Sequence, residues 1–125
     1  MSKPVFNLEE RLLLYAARTI KLVDRLPHTR AANHISKQLL RSGTSALPNH
    51  GEAQAAESRA DFVHKLQICL KELRESHRWL KLIKLTQLMK DLTEVDSLLD
   101  ETDQLVRIFV RSLATARQNN RKSEL

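Results

Sequence analysis

The chain is poor in everything that breaks or staples a polypeptide. It holds two glycines, three prolines and one cysteine, and aromatic residues make up 4% of it. So few turn-formers in 125 residues exclude a many-stranded β fold and favour a few long helices. The single Cys69 excludes an internal disulfide framework and fits a reducing compartment. No apolar run reaches the roughly 18 residues that mark a membrane span. The start, MSKPVFNLEERLLL, interrupts its apolar residues with charges, unlike a signal peptide. The expectation is therefore a soluble, cytoplasmic protein with no membrane partner. One further absence is local. From Arg25 to Gly51 there is no acidic residue, while Arg25, Arg30, Lys37 and Arg41 are basic.

What is present fits a single domain spanning 1–125. Hydrophobic residues make up 42%, enough for a core, and the formal charge of +6 suits an anionic partner. Helical periodicity divides the chain into four segments, at approximately 5–26, 29–54, 58–86 and 91–118. The first carries Leu8, Leu12, Tyr15, Val23 and Leu26, and Pro27 stops it. The second opens at His28 or Thr29 and places Ala32, Ile35, Leu39, Ser42 and Ala46 on one side. The third starts at Ser58 with Asp61 three residues on, a short variant of the capping box. In the fourth, Leu92, Val95, Leu99, Thr102, Val106, Phe109, Leu113 and Ala116 recur three and four apart. Its acidic first half and basic end complement the helix dipole. Four amphipathic helices joined by short links predict an all-α, antiparallel up-and-down four-helix bundle. The final NNRKSEL is expected to fray.

The third segment has two features beyond its core arc. Ile68, Trp79 and Leu82 fall on a separate apolar arc. They read either as a subunit interface or as a tryptophan folded back over the bundle edge. Lys71, Arg74, Arg78 and Lys81, spaced three, four and three apart, form one basic stripe. It is either a solvated face paired with Glu72 and Glu75 or a track of phosphate contacts. Four such contacts on duplex DNA would give a salt slope of roughly −3.6 in log affinity. With Lys37 and Arg41, these four are the candidate nucleic-acid contacts, made to backbone because aromatics for base stacking are scarce. An acidic protein partner is the alternative.

No constellation for chemistry emerges. RSGTS lacks the glycine spacing and the lysine of a phosphate loop, and GTSAL lacks the second glycine of a nucleophile elbow. The five histidines form no i, i+4 pair, Cys69 sits among core leucines, and no Glu-x-x-His pair of a di-iron bundle is present. No enzyme activity, metal or cofactor is expected. Glu52, a lone acid on a basic helix, is assigned to an ion pair with an arginine such as Arg41. Pro48 predicts a kink or an early end of the second helix between residues 44 and 51, with Gly43, Ser42 and Ser45 letting a neighbouring helix approach.

FNLEERLLLYAARTIKLVDRLP, followed by HISKQLLRSGTSALPNHGEAQAAESRADFVHKLQICLKELRESHRWLKLI, resembles the bacterial 23S rRNA-intervening sequence protein family over about residues 5–88. Gln38, Arg41, Ser42, Ser45, Asn49 and Glu52 match its second-helix motif, with Arg41, Asn49 and Glu52 as polar ties. Phe62, Glu72, Leu73 and Glu75 match its third-helix pattern. The family often has a proline or small residue near position 47, where this chain reads Leu47-Pro48. The resemblance implies an antiparallel four-helix bundle assembled as a homopentameric barrel. The accessory proteins of diversity-generating retroelements, which share that fold and work with nucleic acid, are similar too. The combined expectation is a non-catalytic homopentamer that binds RNA or DNA, with a protein-interaction scaffold as the alternative.

Overall fold

A computed structural model describes the backbone of residues 7–124 and the side chains of residues 7–119. It contains four helices: α1 (Leu8–Asp24), α2 (Arg30–Gln54), α3 (Arg59–Thr86) and α4 (Thr93–Glu124). No strand occurs among the described residues.

Short polar side chains set each start. Asn7 Oδ1 accepts from the Glu10 N–H at 2.8 Å, Thr29 Oγ1 from Ala32 at 3.1 Å, and Ser58 Oγ from Asp61 at 3.1 Å. Asp91 Oδ1 takes the Thr93 N–H at 3.0 Å as α4 begins. At the end of α3, Gln87 adopts left-handed backbone (φ 49°), which lets Leu88 N–H reach back to the Ile83 carbonyl at 3.2 Å.

Cross-helix contacts define the topology. Thr19 lies against Gly43 and Glu9 against His50, so α1 and α2 run antiparallel. Ser42 meets Ser76 while Glu52 meets Lys65, which does the same for α2 and α3. Lys84–Asp96 and His77–Asp103 reverse α3 against α4. Arg18–Glu94 and Arg11–Glu101 reverse α4 against α1. The result is the antiparallel up-and-down bundle read from the sequence. Its core joins Leu12, Tyr15 and Leu22 of α1 to Leu39 of α2, Leu73 and Leu80 of α3, and Leu98, Leu105 and Phe109 of α4.

Pro48 does not end α2, which continues six residues further to Gln54, the end expected for the second segment. Pro48 is on the exposed side, where water can serve the Thr44 carbonyl that loses its donor. The flanking Ala46, His50 and Ala53 are buried and hold the final turns in place. Asn49 Nδ2 adds a donor to the Ser45 carbonyl at 2.9 Å beside the proline. The backbone of α4 is helical to Glu124, past the 118 expected for the fourth segment, and ARQNNRKSE holds neither glycine nor proline. Positions 5 and 6, expected in the first helix, lie outside the described residues.

The small-residue centre of α2 does admit its neighbours. A Cβ at Gly43 would lie 2.6 Å from Thr19 Cγ2, and Ser42 and Ser76 bring their hydroxyls to 2.8 Å in a buried contact. Helices with such residues at the crossing approach closely and gain dispersion contacts between their backbones.

Candidate nucleic-acid interface

The six basic candidates separate into three places. Lys71, Arg74, Arg78 and Lys81 project from one exposed flank of α3. Arg41 lies at the α2–α3 edge, where it is held in a polar network. Lys37 borders a small depression with Val23, Asp24 and Pro27 at the end of α1. The structure thus groups four of the six and sets Arg41 and Lys37 apart.

Arg41 is assigned a different partner from the one expected. Its Nη1 donates to Glu72 Oε2 at 3.0 Å, its Nη2 donates to Gln38 Oε1 at 3.3 Å, and it also bonds Glu75. Glu72 is buried, so the guanidinium compensates a carboxylate removed from water. Glu52 instead pairs with Lys65 at 2.8 Å, on an exposed edge. The reason is register: Glu52 is about three turns from Arg41 along α2, whereas α3 carries Glu72 and Glu75 past it. Asn49 bonds within its own helix, to Ser45.

That network takes Glu72 and Glu75 away from the basic stripe. None of Lys71, Arg74, Arg78 and Lys81 forms an ion pair among the described residues. Asp103 borders the same flank and lies 3.1 Å from His77 Nε2, more than 4 Å from each of the four cations. Four cations therefore face solvent without an internal counter-charge, an arrangement that raises the local positive potential.

The stripe forms one wall of a furrow between α3 and α4. One part, about 480 Å³, is lined by Gln67, Lys71, Arg74 and Arg78 on α3 and by Arg117 on α4, over Leu70, Val110 and Leu113. A second depression of about 300 Å³ continues past Arg74, Arg78, Lys81, Asp103 and Val106. In the sequence Arg117 reads only as part of the basic end of the fourth helix, and Val110 was not singled out. Their signal is a spacing of seven on α4, which puts both on the α3-facing edge.

The separate apolar arc of α3 is partly covered. Trp79 is half-buried; its Nε1 donates to Glu75 Oε2 at 3.0 Å and its ring meets His34 edge-on at 6.0 Å. Ile68 is half-buried too, whereas Leu82 is exposed beside Leu85, which is 82% exposed. These two leucines join Arg78, Lys81 and Lys84 around a depression of about 630 Å³ at the end of α3. Leu13, Leu14 and Ile20 form another exposed apolar surface, on α1.

Other candidate chemistry is tied into the core. Cys69 Sγ donates to the Ala46 carbonyl at 3.5 Å, and burial pushes its thiol pKa up to about 12. Among the described residues, no group of three His, Cys, Asp or Glu is placed to hold a metal ion. No helix of the described residues is long and apolar enough to cross a membrane.

Fold and flank together define an all-helical bundle with a row of four cations on α3 that form no ion pair among the described residues. The sequence pattern of the family described as 23S rRNA-intervening sequence protein matches residues 10–111, and the chain belongs to that family. A crystal structure of a protein of unknown function from the S23 ribosomal protein family of Bacteroides thetaiotaomicron VPI-5482 has the same fold, with a TM-score of 0.79. The two chains are 33% identical over 86% of this chain and 98% of that one. No curated protein matches the sequence.

Proposed function

We propose that this protein is a non-catalytic, homo-oligomeric binder of nucleic acid that engages RNA backbone through the α3 flank. The observation that carries the reading is the row of Lys71, Arg74, Arg78 and Lys81, which has no ion pair among the described residues while the neighbouring glutamates serve Arg41. Phosphate contacts of this kind supply affinity and position with little sequence reading. Binding of a structured RNA, followed by fluorescence anisotropy, is expected to weaken steeply with salt. Replacing the four residues together by Glu is expected to abolish it while leaving helicity intact. Absence of binding at low salt, or a quadruple variant that binds like the parent, would refute the proposal.

Assembly as a homopentamer is part of the same proposal, supported by exposed Leu13, Leu14 and Ile20 on α1 and Leu82 and Leu85 on α3. Light-scattering mass checks it, and a monomer at micromolar concentration would contradict it. The cationic rim around Leu82 and Leu85 favours a second reading, in which an acidic protein segment docks there. In that case Leu85→Asp would abolish partner binding and leave RNA binding unchanged.

A further inference from the structure

The furrow between α3 and α4 differs from a flat basic surface in ways that bear on which form of nucleic acid it takes. Cations stand on both of its walls, Lys71, Arg74 and Arg78 on one and Arg117 on the other, and its floor is apolar. We infer that this furrow takes a single strand, with phosphates on the walls and one base or sugar resting on Val110. The inference rests on the nucleic-acid reading above and narrows it to unpaired substrate.

Width supports it. Packed helices have axes about 8–10 Å apart, so the furrow between them admits one strand and is too narrow to receive a duplex. A duplex would touch only the outer rim, leaving Arg117 and the floor unused. The length is consistent as well. Lys71 to Lys81 spans ten residues of helix, about 15 Å, a track for a few consecutive nucleotides.

The floor supports it further. Val110 is 42% exposed, whereas Leu70 and Leu113 are 9% and 3% exposed. The accessible apolar surface therefore matches one base or sugar. It is too small for the i, i+3, i+4, i+7 stripe of an amphipathic helix. Arg74 and Arg78 add planar guanidinium groups on which unpaired bases stack, offsetting the lack of aromatic side chains. The charge on both walls is positive, and Asp103 lines only the neighbouring depression.

The test compares an oligouridylate of about twelve nucleotides, within the site sizes of single-strand grooves, with a blunt RNA duplex of the same length. At low salt the single strand is expected to bind at least about threefold more tightly, from burying the exposed part of Val110. Its salt slope is expected near −2.8, that of about four single-strand phosphate contacts. Val110→Asp, which also adds a negative charge beside the cations, is expected to weaken the oligouridylate several-fold and more than it weakens the duplex, with helicity unchanged. Val110→Ser, which introduces no charge, is expected to weaken it in the same direction. Equal or tighter binding of the duplex, or affinity insensitive to both Val110 variants, would overturn the single-strand inference and leave general nucleic-acid binding standing. Displacement of the oligouridylate by an acidic amphipathic peptide at lower concentration than by unlabelled oligouridylate would assign the furrow to protein instead. Binding of neither RNA would overturn both readings.

Discussion

Replacing Gly43 and Gly51 by alanine, one at a time, should change stability in opposite directions although both lie in the same helix. In an exposed helix interior, Gly→Ala stabilises by about 1 kcal/mol, because alanine loses less backbone entropy on folding. At Gly51 nothing opposes this gain. Neither glycine has positive φ, and the nearest atom to an added Cβ is Glu9 Oε1 at 3.8 Å. At Gly43 the same methyl group would lie 2.6 Å from Thr19 Cγ2, 2.8 Å from its Oγ1 and 3.1 Å from its Cβ. Thr19 is 1% exposed, and its hydroxyl donates to the Tyr15 carbonyl at 2.9 Å, so turning it aside breaks a buried hydrogen bond. Overpacking costs about 1–3 kcal/mol, and the lost bond costs about 1 kcal/mol more. The net expectation is a loss of roughly 1–3 kcal/mol for Gly43→Ala, or about 4–11 °C in Tm for a domain of this size. Gly51→Ala should gain roughly 0.5–1 kcal/mol. Urea unfolding followed by circular dichroism, at one fixed protein concentration because assembly shifts apparent stability, measures both. Thr19→Ala combined with Gly43→Ala should recover at least about 1 kcal/mol relative to additivity. If Gly43→Ala stabilises as much as Gly51→Ala, the close approach of α1 and α2 is wrong.

Three further outcomes follow from buried polar groups. His50 is 6% exposed, its Nδ1 has no hydrogen-bond partner among the described residues, and burial lowers its pKa from 6.5 against the opposing effect of Glu9, 4.0 Å away. The unfolded chain therefore binds the proton first, and this stability is lost as pH falls from 6.5 through the lower folded value. His50→Gln should flatten stability across that window, and parallel pH profiles for parent and variant would contradict the assignment. Cys69, with its thiol pushed up to about 12, should resist thiol reagents in the native state and react only at the rate of unfolding; prompt modification of folded protein would show that it is not buried. Tyr15 holds Thr102 at 2.6 Å, and Thr102 in turn donates to the Leu98 carbonyl at 2.6 Å. Tyr15→Phe should cost about 1 kcal/mol in urea unfolding, and an unchanged midpoint would deny that bond any net contribution.

Much of the helix layout was legible because it rests on local physics. Apolar spacing placed the four segments, and Thr29 and Ser58 start α2 and α3 as short side-chain acceptors must. The basic stripe was legible for the same reason: residues three and four apart share a helix face whatever surrounds them. The early end offered for α2 at Pro48 does not occur, because the cost of a proline depends on which side of the helix it faces, and Pro48 faces water. Arg41 was matched with Glu52 because both are on one segment, while its partners Glu72 and Glu75 come from another. A tie between α1 and α4 was missed although its signal is plain. Arg11 and Arg18 are seven apart, as are Glu94 and Glu101, and the antiparallel bundle brings the pairs together.

By itself, the sequence determined the helices, their caps, the apolar faces that make a bundle, and the row of cations on α3. These depend on periods of 3.6 residues and on short-range hydrogen bonds. Only the tertiary structure decided which charges are compensated, that Trp79 packs against His34, and that Val110 and Arg117 complete a furrow with α3. Each of these joins residues distant along the chain. They are set by the registers of α2 against α3 and of α3 against α4, which side-chain packing across the core selects.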